Sequence, residues 1–167
     1  MRSLVLSLLL ACGWAGATPL LGTKASFADS SFCKVYACRL VGKDALGAGL
    51  SEWRYVINGE RGREPYAPPQ VVSVLRQNDR IISAQWVAGA QDTVLYPSSY
   101  GTQMATLLIR TLTGKAPTAE KLFDLNDRCE VATPKPHTIA WGAYRLSCLL
   151  SAEFAGAWRF SLRVHLP

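Results

Sequence analysis

The clearest pattern in the chain is a strict alternation of apolar and polar residues near its C-terminal end. Apolar side chains occupy every second position from Trp158 to Leu166, and Arg, Ser and His occupy the positions between them. Residues 142–150 alternate in a similar way. A period of two is typical of β-strands with one dry and one wet face, so the two segments predict an antiparallel hairpin with a loop near residues 152–156.

The same pattern predicts how the two strands of this hairpin pair. We expect Leu146 to lie opposite Leu162, because every dry residue of one strand then meets a dry residue of the other. A slip by one residue would move one strand's apolar set to the solvent side. On the wet face, this register places Arg145 directly opposite Arg163.

Two further hairpins are predicted upstream from short apolar segments bounded by turn residues. They pair residues 34–42 with 51–57 around a glycine-rich loop at 42–49, and residues 71–75 with 81–88 around a turn at 77–80. Residues 61–69 hold three prolines and a glycine and predict a loop.

One segment has the periodicity of a helix. Residues that would share one face of a helix recur there at intervals of three and four positions, namely Tyr100, Met104, Leu107, Leu108 and Thr111. Ser98 and Ser99 are N-cap candidates and Gly114 is a stop, which together predict a helix over residues 99–113. A shorter helix is predicted over residues 118–125. The fold class that follows is α+β, a largely antiparallel sheet of five or six strands with one main amphipathic helix packed on one face.

The first seventeen residues have the three parts of a secretory signal. Arg2 precedes an apolar run at residues 4–10, and small residues at 15–17 form a cleavage site. We expect cleavage before Thr18, which leaves an exported domain over residues 18–167. In the alternative interpretation, residues 9–12 form a lipobox, and lipidation of Cys12 anchors the chain to a membrane.

The four remaining cysteines form an even set in a chain predicted to be exported. They are Cys33, Cys38, Cys129 and Cys148. An even count in an oxidising compartment predicts two disulfides. We expect the pairs 33–38 and 129–148, because each closes a local loop, with a crossed pairing as the alternative. No metal site is predicted, since there is no Cys-x-x-Cys pair and no His stands at ligand spacing from a Cys.

Charge suggests the class of partner. The chain has 18 basic and 12 acidic side chains, a formal net charge of +6, which favours partners such as an anionic polymer or a lipid head group, with another protein as the alternative partner. The wet face of the C-terminal hairpin carries a candidate anion-binding set, namely Arg145, Arg159, Arg163 and His165. Guanidinium groups bind phosphate and carboxylate through paired N–H donors. In the alternative, neighbouring carboxylates or water satisfy an ordinary solvent-exposed face.

Other functions have less support in the sequence. The wet face has no aromatic residue for base stacking, which argues against nucleic-acid recognition, and no nucleophile motif or phosphate-binding loop predicts a catalytic site or a cofactor. We therefore expect a non-catalytic exported binding or envelope-interaction domain, located in the periplasm, the cell envelope or the exterior. The alternatives are a hydrolase that uses His137 in a cleft and a protein inhibitor that presents the 61–69 loop. A His137 beside a hydroxyl and a carboxylate would favour the hydrolase.

Overall fold

The computed structural model describes residues 18–57, 70–89, 99–131, 135–152 and 158–167 of the chain. The predicted leader at 1–17, the predicted loop at 61–69 and the Ser98 cap candidate lie outside the described residues. The described elements are, in chain order, a 3-10 turn at Phe27–Asp29, helix α1 (Ser31–Tyr36), strands β1 (Cys38–Gly47), β2 (Leu50–Ile57), β3 (Val71–Gln77) and β4 (Arg80–Gly89), helices α2 (Ser99–Thr113) and α3 (Ala119–Val131), and strands β5 (His137–Trp141), β6 (Tyr144–Ala152) and β7 (Trp158–His165).

All seven strands belong to one antiparallel sheet, with the order β1-β2-β3-β4-β7-β6-β5. The predicted α+β class is confirmed, but the described sheet has seven strands where five or six were expected. The strand that the pattern did not predict is β5, which has only five residues. A segment this short shows too little alternation of apolar and polar residues to be recognised as a strand. Its hydrogen bonding to β6 places it in the sheet.

The N-terminal hairpin differs from its prediction at both ends. Residues 34–36 belong to α1, not to a strand, and β1 continues through the predicted loop as far as Gly47. The side chain of Ser30 caps α1, and Ala37 ends it in the left-handed conformation with φ of 48°. The helical turn of α1 and its end at Ala37 bring the Cα atoms of Cys33 and Cys38 to within 4.8 Å of each other. The same residues in an extended strand would be too far apart for a disulfide.

The register of the C-terminal hairpin is shifted by two residues from its prediction. Leu146 lies opposite Val164, not opposite Leu162. A shift of two keeps every side chain on its own face, so the hydrophobic pattern fits both registers equally well. The predicted opposition of Arg145 and Arg163 is therefore wrong, although both residues stay on the predicted face.

One face of the sheet, called the covered face below, carries the core. Its largest buried side chains include Trp86, Tyr55 and Phe160. Helix α2 has the predicted bounds, contacts β7 and buries Met104 and Leu108 in this core. Burial of this apolar surface is the main stabilising term in the fold.

Helix α3 is longer than the predicted 118–125. It continues to Val131, because Leu122, Leu125 and Cys129 form one buried stripe along it. Cys129 is bonded to Cys148 on β6, with the two Cα atoms 5.8 Å apart. Both predicted disulfides are thus confirmed, and they indicate an oxidising, exported compartment.

Candidate anion-binding site on the polar face

The face opposite the covered face, called the polar face below, is organised in rows that run across the strands. Residues paired across antiparallel strands share a face, so the register defines each row. The first row crosses all seven strands and contains Gly42, Arg54, Ser73, Gln85, Arg163, Ser147 and Thr138. The second row contains Asp44, Glu52, Leu75, Ser83, His165, Arg145 and Ala140. Two of the predicted site residues, Arg145 and His165, are therefore direct neighbours.

Arg163 is held by an uncharged partner. Its Nε and Nη2 atoms both donate to Oε1 of Gln85, at 3.2 and 2.6 Å. Gln85 lies on β4, directly opposite Arg163 on β7. A carbonyl oxygen orients the guanidinium group and leaves its positive charge uncancelled. A guanidinium group has five N–H donors, so three remain for a ligand.

His165 is fixed through both of its ring nitrogens. Its Nδ1 lies 2.9 Å from the backbone carbonyl of Leu166, and its Nε2 lies 3.0 Å from Oγ of Ser147. A carbonyl only accepts hydrogen bonds, so Nδ1 carries a proton and the hydroxyl of Ser147 faces Nε2. Oγ of Ser147 also lies 2.8 Å from Oγ1 of Thr138, which extends the network across β7, β6 and β5.

Arg145 completes the cluster. It is exposed, lies directly opposite His165 and is a diagonal neighbour of Arg163, which lies opposite Ser147. The ion pairs formed between described residues are Lys24 with Asp79, Arg54 with Asp44, and Arg128 with Asp124, so none of them neutralises this cluster. Two guanidinium groups and an imidazole thus share one small area of the polar face.

Arg159 is separated from the other predicted site residues. It lies on the same face of β7, opposite Gly89 and Ser151. Four residues of strand separate it from Arg163, a distance of about 13 Å. The position of its side chain lies outside the described part of the structure. The cluster that the structure brings together therefore consists of Arg145, Arg163 and His165, called the basic cluster below.

Two depressions adjoin the basic cluster, and Arg163 and His165 line both of them. The smaller has a volume of about 180 Å³, and its other lining residues are Gln85, Pro136, Ser147, Cys148, Leu149 and Ser161. The larger, called the outer groove below, has a volume of about 390 Å³, and its other lining residues are Leu75, Gln77, Ile82, Ser83, Leu166 and Pro167. A ligand in either depression would lie against the same two basic side chains.

Arg54 lies in the same row as Arg163 but has a different partner. Its Nη2 lies 2.5 Å from Oδ2 of Asp44, so its charge is neutralised. Gly42 lies opposite Arg54, and a Cβ atom there would lie 3.1 Å from Nη2 of Arg54. The absence of a side chain at Gly42 therefore makes room for the guanidinium group to reach Asp44.

Among the described residues, His137 lacks the hydroxyl and carboxylate neighbours that the hydrolase interpretation requires. It lies opposite Cys148 on the covered face, away from the basic cluster. Its Nε2 is buried and has no hydrogen-bond partner among the described residues. The hydroxyl-to-imidazole contact of the described structure occurs instead at Ser147 and His165.

Sequence reasoning missed Gln85 and Ser147 as members of the site. Gln85 is 78 residues away from Arg163 in the chain, and only the pairing of β4 with β7 brings them together. The signal that was present is its long polar side chain within a mostly apolar strand, between Ala84 and Trp86. Ser147 lies at a wet position of the predicted hairpin, but its contact with His165 depends on the correct register.

Similarity to known proteins adds no assignment to the site. No protein family, curated protein or solved structure matches the chain. Within the described ranges, no group of three or more His, Cys, Asp or Glu side chains is placed to hold a metal ion. The helices in that part of the chain are too short or too polar to cross a membrane.

Proposed function

We propose that the chain is an exported, non-catalytic binding domain that engages an anionic partner through Arg145, Arg163 and His165 on the polar face. The observation that carries this proposal is the attachment of Arg163 to Gln85. Two N–H groups of the guanidinium are fixed by a neutral oxygen, so the group is positioned while its charge stays available. The two disulfides and the predicted leader are the reasons for placing the domain in an exported compartment.

The arrangement of charge supports an anionic partner over a plain solvent-exposed surface. Arg145 and Arg163 are diagonal neighbours across β6 and β7, and repulsion between exposed like charges at the roughly 7–8 Å of a diagonal pair costs about a few tenths of a kcal/mol. An anionic group between them would remove this repulsion. Phosphate and carboxylate groups fit this requirement, because they accept paired hydrogen bonds from guanidinium.

Binding to anionic vesicles tests the proposal. We expect the protein to bind vesicles that contain phosphatidylglycerol more tightly than vesicles of phosphatidylcholine alone. Each basic side chain near an anionic membrane contributes about 1 kcal/mol, so Arg163→Gln should weaken binding about fivefold and Arg145→Gln/Arg163→Gln about 25-fold. Equal binding of the double variant and the native protein would refute the proposal.

One observation supports the hydrolase alternative. The 3.0 Å contact of Ser147 with His165 resembles the pairing of a nucleophile with its base. However, the second ring nitrogen of His165 bonds to a backbone carbonyl, not to a carboxylate. Hydrolysis of p-nitrophenyl acetate that disappears in Ser147→Ala would establish the alternative and exclude the non-catalytic proposal.

A further inference from the structure

The outer groove is lined by both basic and apolar side chains. Arg163 and His165 are its basic residues, whereas Leu75, Ile82 and Leu166 are half-buried apolar side chains. Single apolar residues on a protein surface are common and need no explanation. Here the apolar side chains line the same depression as two basic groups. That combination suits a ligand with one charged end and one apolar end.

Two backbone features create the apolar wall of the groove. The pairing of β3 with β4 shifts by one residue between Leu75 and Arg76, so Ile82 has no partner on β3. A bulge of this kind redirects a side chain, and Ile82 lines the groove next to the polar face. The backbone N–H of Leu166 donates to the carbonyl of Ile82 at 3.1 Å, which holds Leu166 beside it.

The size of the groove also fits a small ligand. Its volume of about 390 Å³ lies within the range of roughly 300–1,000 Å³ for small-molecule sites. Inorganic phosphate would leave the apolar wall in contact with water, and a neutral apolar molecule would leave Arg163 without an anionic partner. An amphiphile satisfies both parts of the groove.

We infer that the outer groove binds a single-chain anionic amphiphile. Its phosphate or carboxylate head lies against Arg163 and His165, and its alkyl chain lies along Leu75, Ile82 and Leu166. This inference rests on the anion binding proposed above and adds the class of ligand. Phosphate and carboxylate heads share the paired acceptor geometry that a guanidinium group binds, so the head group is distinguished by experiment.

Calorimetry with four probes tests the inference on the exported protein. The probes are dodecyl phosphate, dodecanoate, inorganic phosphate and dodecyl maltoside, each below its micelle concentration. A fully buried methylene raises affinity about fourfold, so even partial burial of the chain should make dodecyl phosphate bind at least tenfold more tightly than inorganic phosphate. Dodecyl maltoside should bind at least tenfold more weakly than dodecyl phosphate. If dodecanoate binds more tightly than dodecyl phosphate, the inference holds with a carboxylate head. If dodecyl phosphate binds more tightly than dodecanoate, it holds with a phosphate head.

Variants assign the two ends of the probe. Leu166→Gln should reduce the ratio of the affinity for dodecyl phosphate to the affinity for inorganic phosphate at least threefold. The affinity for inorganic phosphate should stay unchanged. Arg163→Gln should weaken both anionic probes by the same factor, and Arg54→Gln should change neither. If Leu166→Gln does not fold, Leu75→Trp, which fills the groove from a half-buried strand position, should reduce the same ratio.

The outcomes separate this inference from the proposed function. Equal affinity for dodecyl phosphate and inorganic phosphate, both weakened by Arg163→Gln, would overturn the amphiphile and keep the anion site. Equal affinity for dodecyl maltoside and dodecyl phosphate would overturn the inference, because the head would contribute nothing. If the anionic probes bind Arg163→Gln as tightly as they bind the native protein, both the amphiphile inference and the proposed anion-binding function are overturned.

Discussion

Alternate residues of strand β7 belong to two surfaces with different properties. Phe160, Leu162 and Val164 lie on the covered face and are 2%, 0% and 0% exposed. Arg163 and His165, which alternate with them, lie on the polar face and line both depressions. One strand therefore stabilises the fold through one set of side chains and presents the candidate site through the other. Substitutions in the two sets should separate stability from binding.

The polar face itself contains a second contrast, between Arg54 and Arg163. The two residues lie in one row, three strands and about 14 Å apart. Arg54 is paired with the carboxylate of Asp44, whereas Arg163 is bound by the amide oxygen of Gln85. We therefore expect the partner of each arginine, more than its exposure, to determine whether its charge is available to a ligand.

The largest expected effect is on the covered face. Phe160→Ala should lower the free energy of unfolding by about 3–5 kcal/mol, the range for removing a buried aromatic side chain. The ring of Phe160 packs edge-on against Trp86, with centroids 5.8 Å apart. Denaturant unfolding measures this loss. Arg163→Gln on the same strand is the matched control and should stay within about 0.5 kcal/mol of the native protein. A loss below about 1 kcal/mol for Phe160→Ala would mean that the faces of β7 are wrongly assigned.

The disulfide between α3 and β6 gives the next effect. Replacing Cys129 and Cys148 together by Ala should cost about 3 kcal/mol, because their bond closes a loop across 19 positions of sequence. Replacing Cys33 and Cys38 should cost less, since their separation is only 5 positions. Thermal unfolding of the two double variants compares them. A larger loss for the Cys33 and Cys38 pair would contradict this explanation.

A smaller effect is expected from the like charges on the polar face. Arg145→Gln should leave the free energy of unfolding unchanged or raise it by a few tenths of a kcal/mol, because it removes the repulsion from Arg163. The same variant should weaken binding to phosphatidylglycerol vesicles. If it instead lost stability and kept full binding, Arg145 would have a structural role.

Alkaline pH should affect the core through two buried residues, Tyr55 on β2 and Tyr36 on α1. Burial raises the pKa of both hydroxyl groups above their ordinary value of about 10. The contribution of the neutral hydroxyls to stability is therefore fully present below about pH 10 and is lost as the pH rises through the folded-state pKa. The free energy of unfolding should fall above about pH 10, and it should fall less steeply in Tyr55→Phe. An identical slope in that variant would show that the ionisation of Tyr55 is not coupled to unfolding.

The sequence predicted which face each residue of the last hairpin occupies, but not which residues lie opposite each other. The face of Arg163 follows from the alternation with Phe160 and Leu162, which is local information. Its opposition to Ser147 depends on the register, and a shift of two residues leaves the alternation unchanged. The four cysteines were paired correctly because both bonds close local loops.

Contacts between distant segments were beyond what the pattern could show. Gln85 comes to Arg163 only because β4 pairs with β7, and Asp44 comes to Arg54 only because β1 continues past Gly42. The predicted set therefore named basic residues without the neutral and acidic partners that distinguish one arginine from another. Arg159 was included in the set because it shares the wet face, although four positions of strand separate it from Arg163.

The salt dependence of vesicle binding by two single variants tests whether Arg163 belongs to a positioned anion-binding site. Arg163→Gln and Arg54→Gln remove the same formal charge from the same row of the polar face. We expect native protein and Arg54→Gln to bind phosphatidylglycerol vesicles with equal affinity and with the same decline in affinity as salt rises. We expect Arg163→Gln to bind about fivefold more weakly at low salt, with an affinity that declines less steeply as salt rises. Equal weakening of binding in the two variants would show that net charge alone drives binding, and would contradict a positioned site at Arg163.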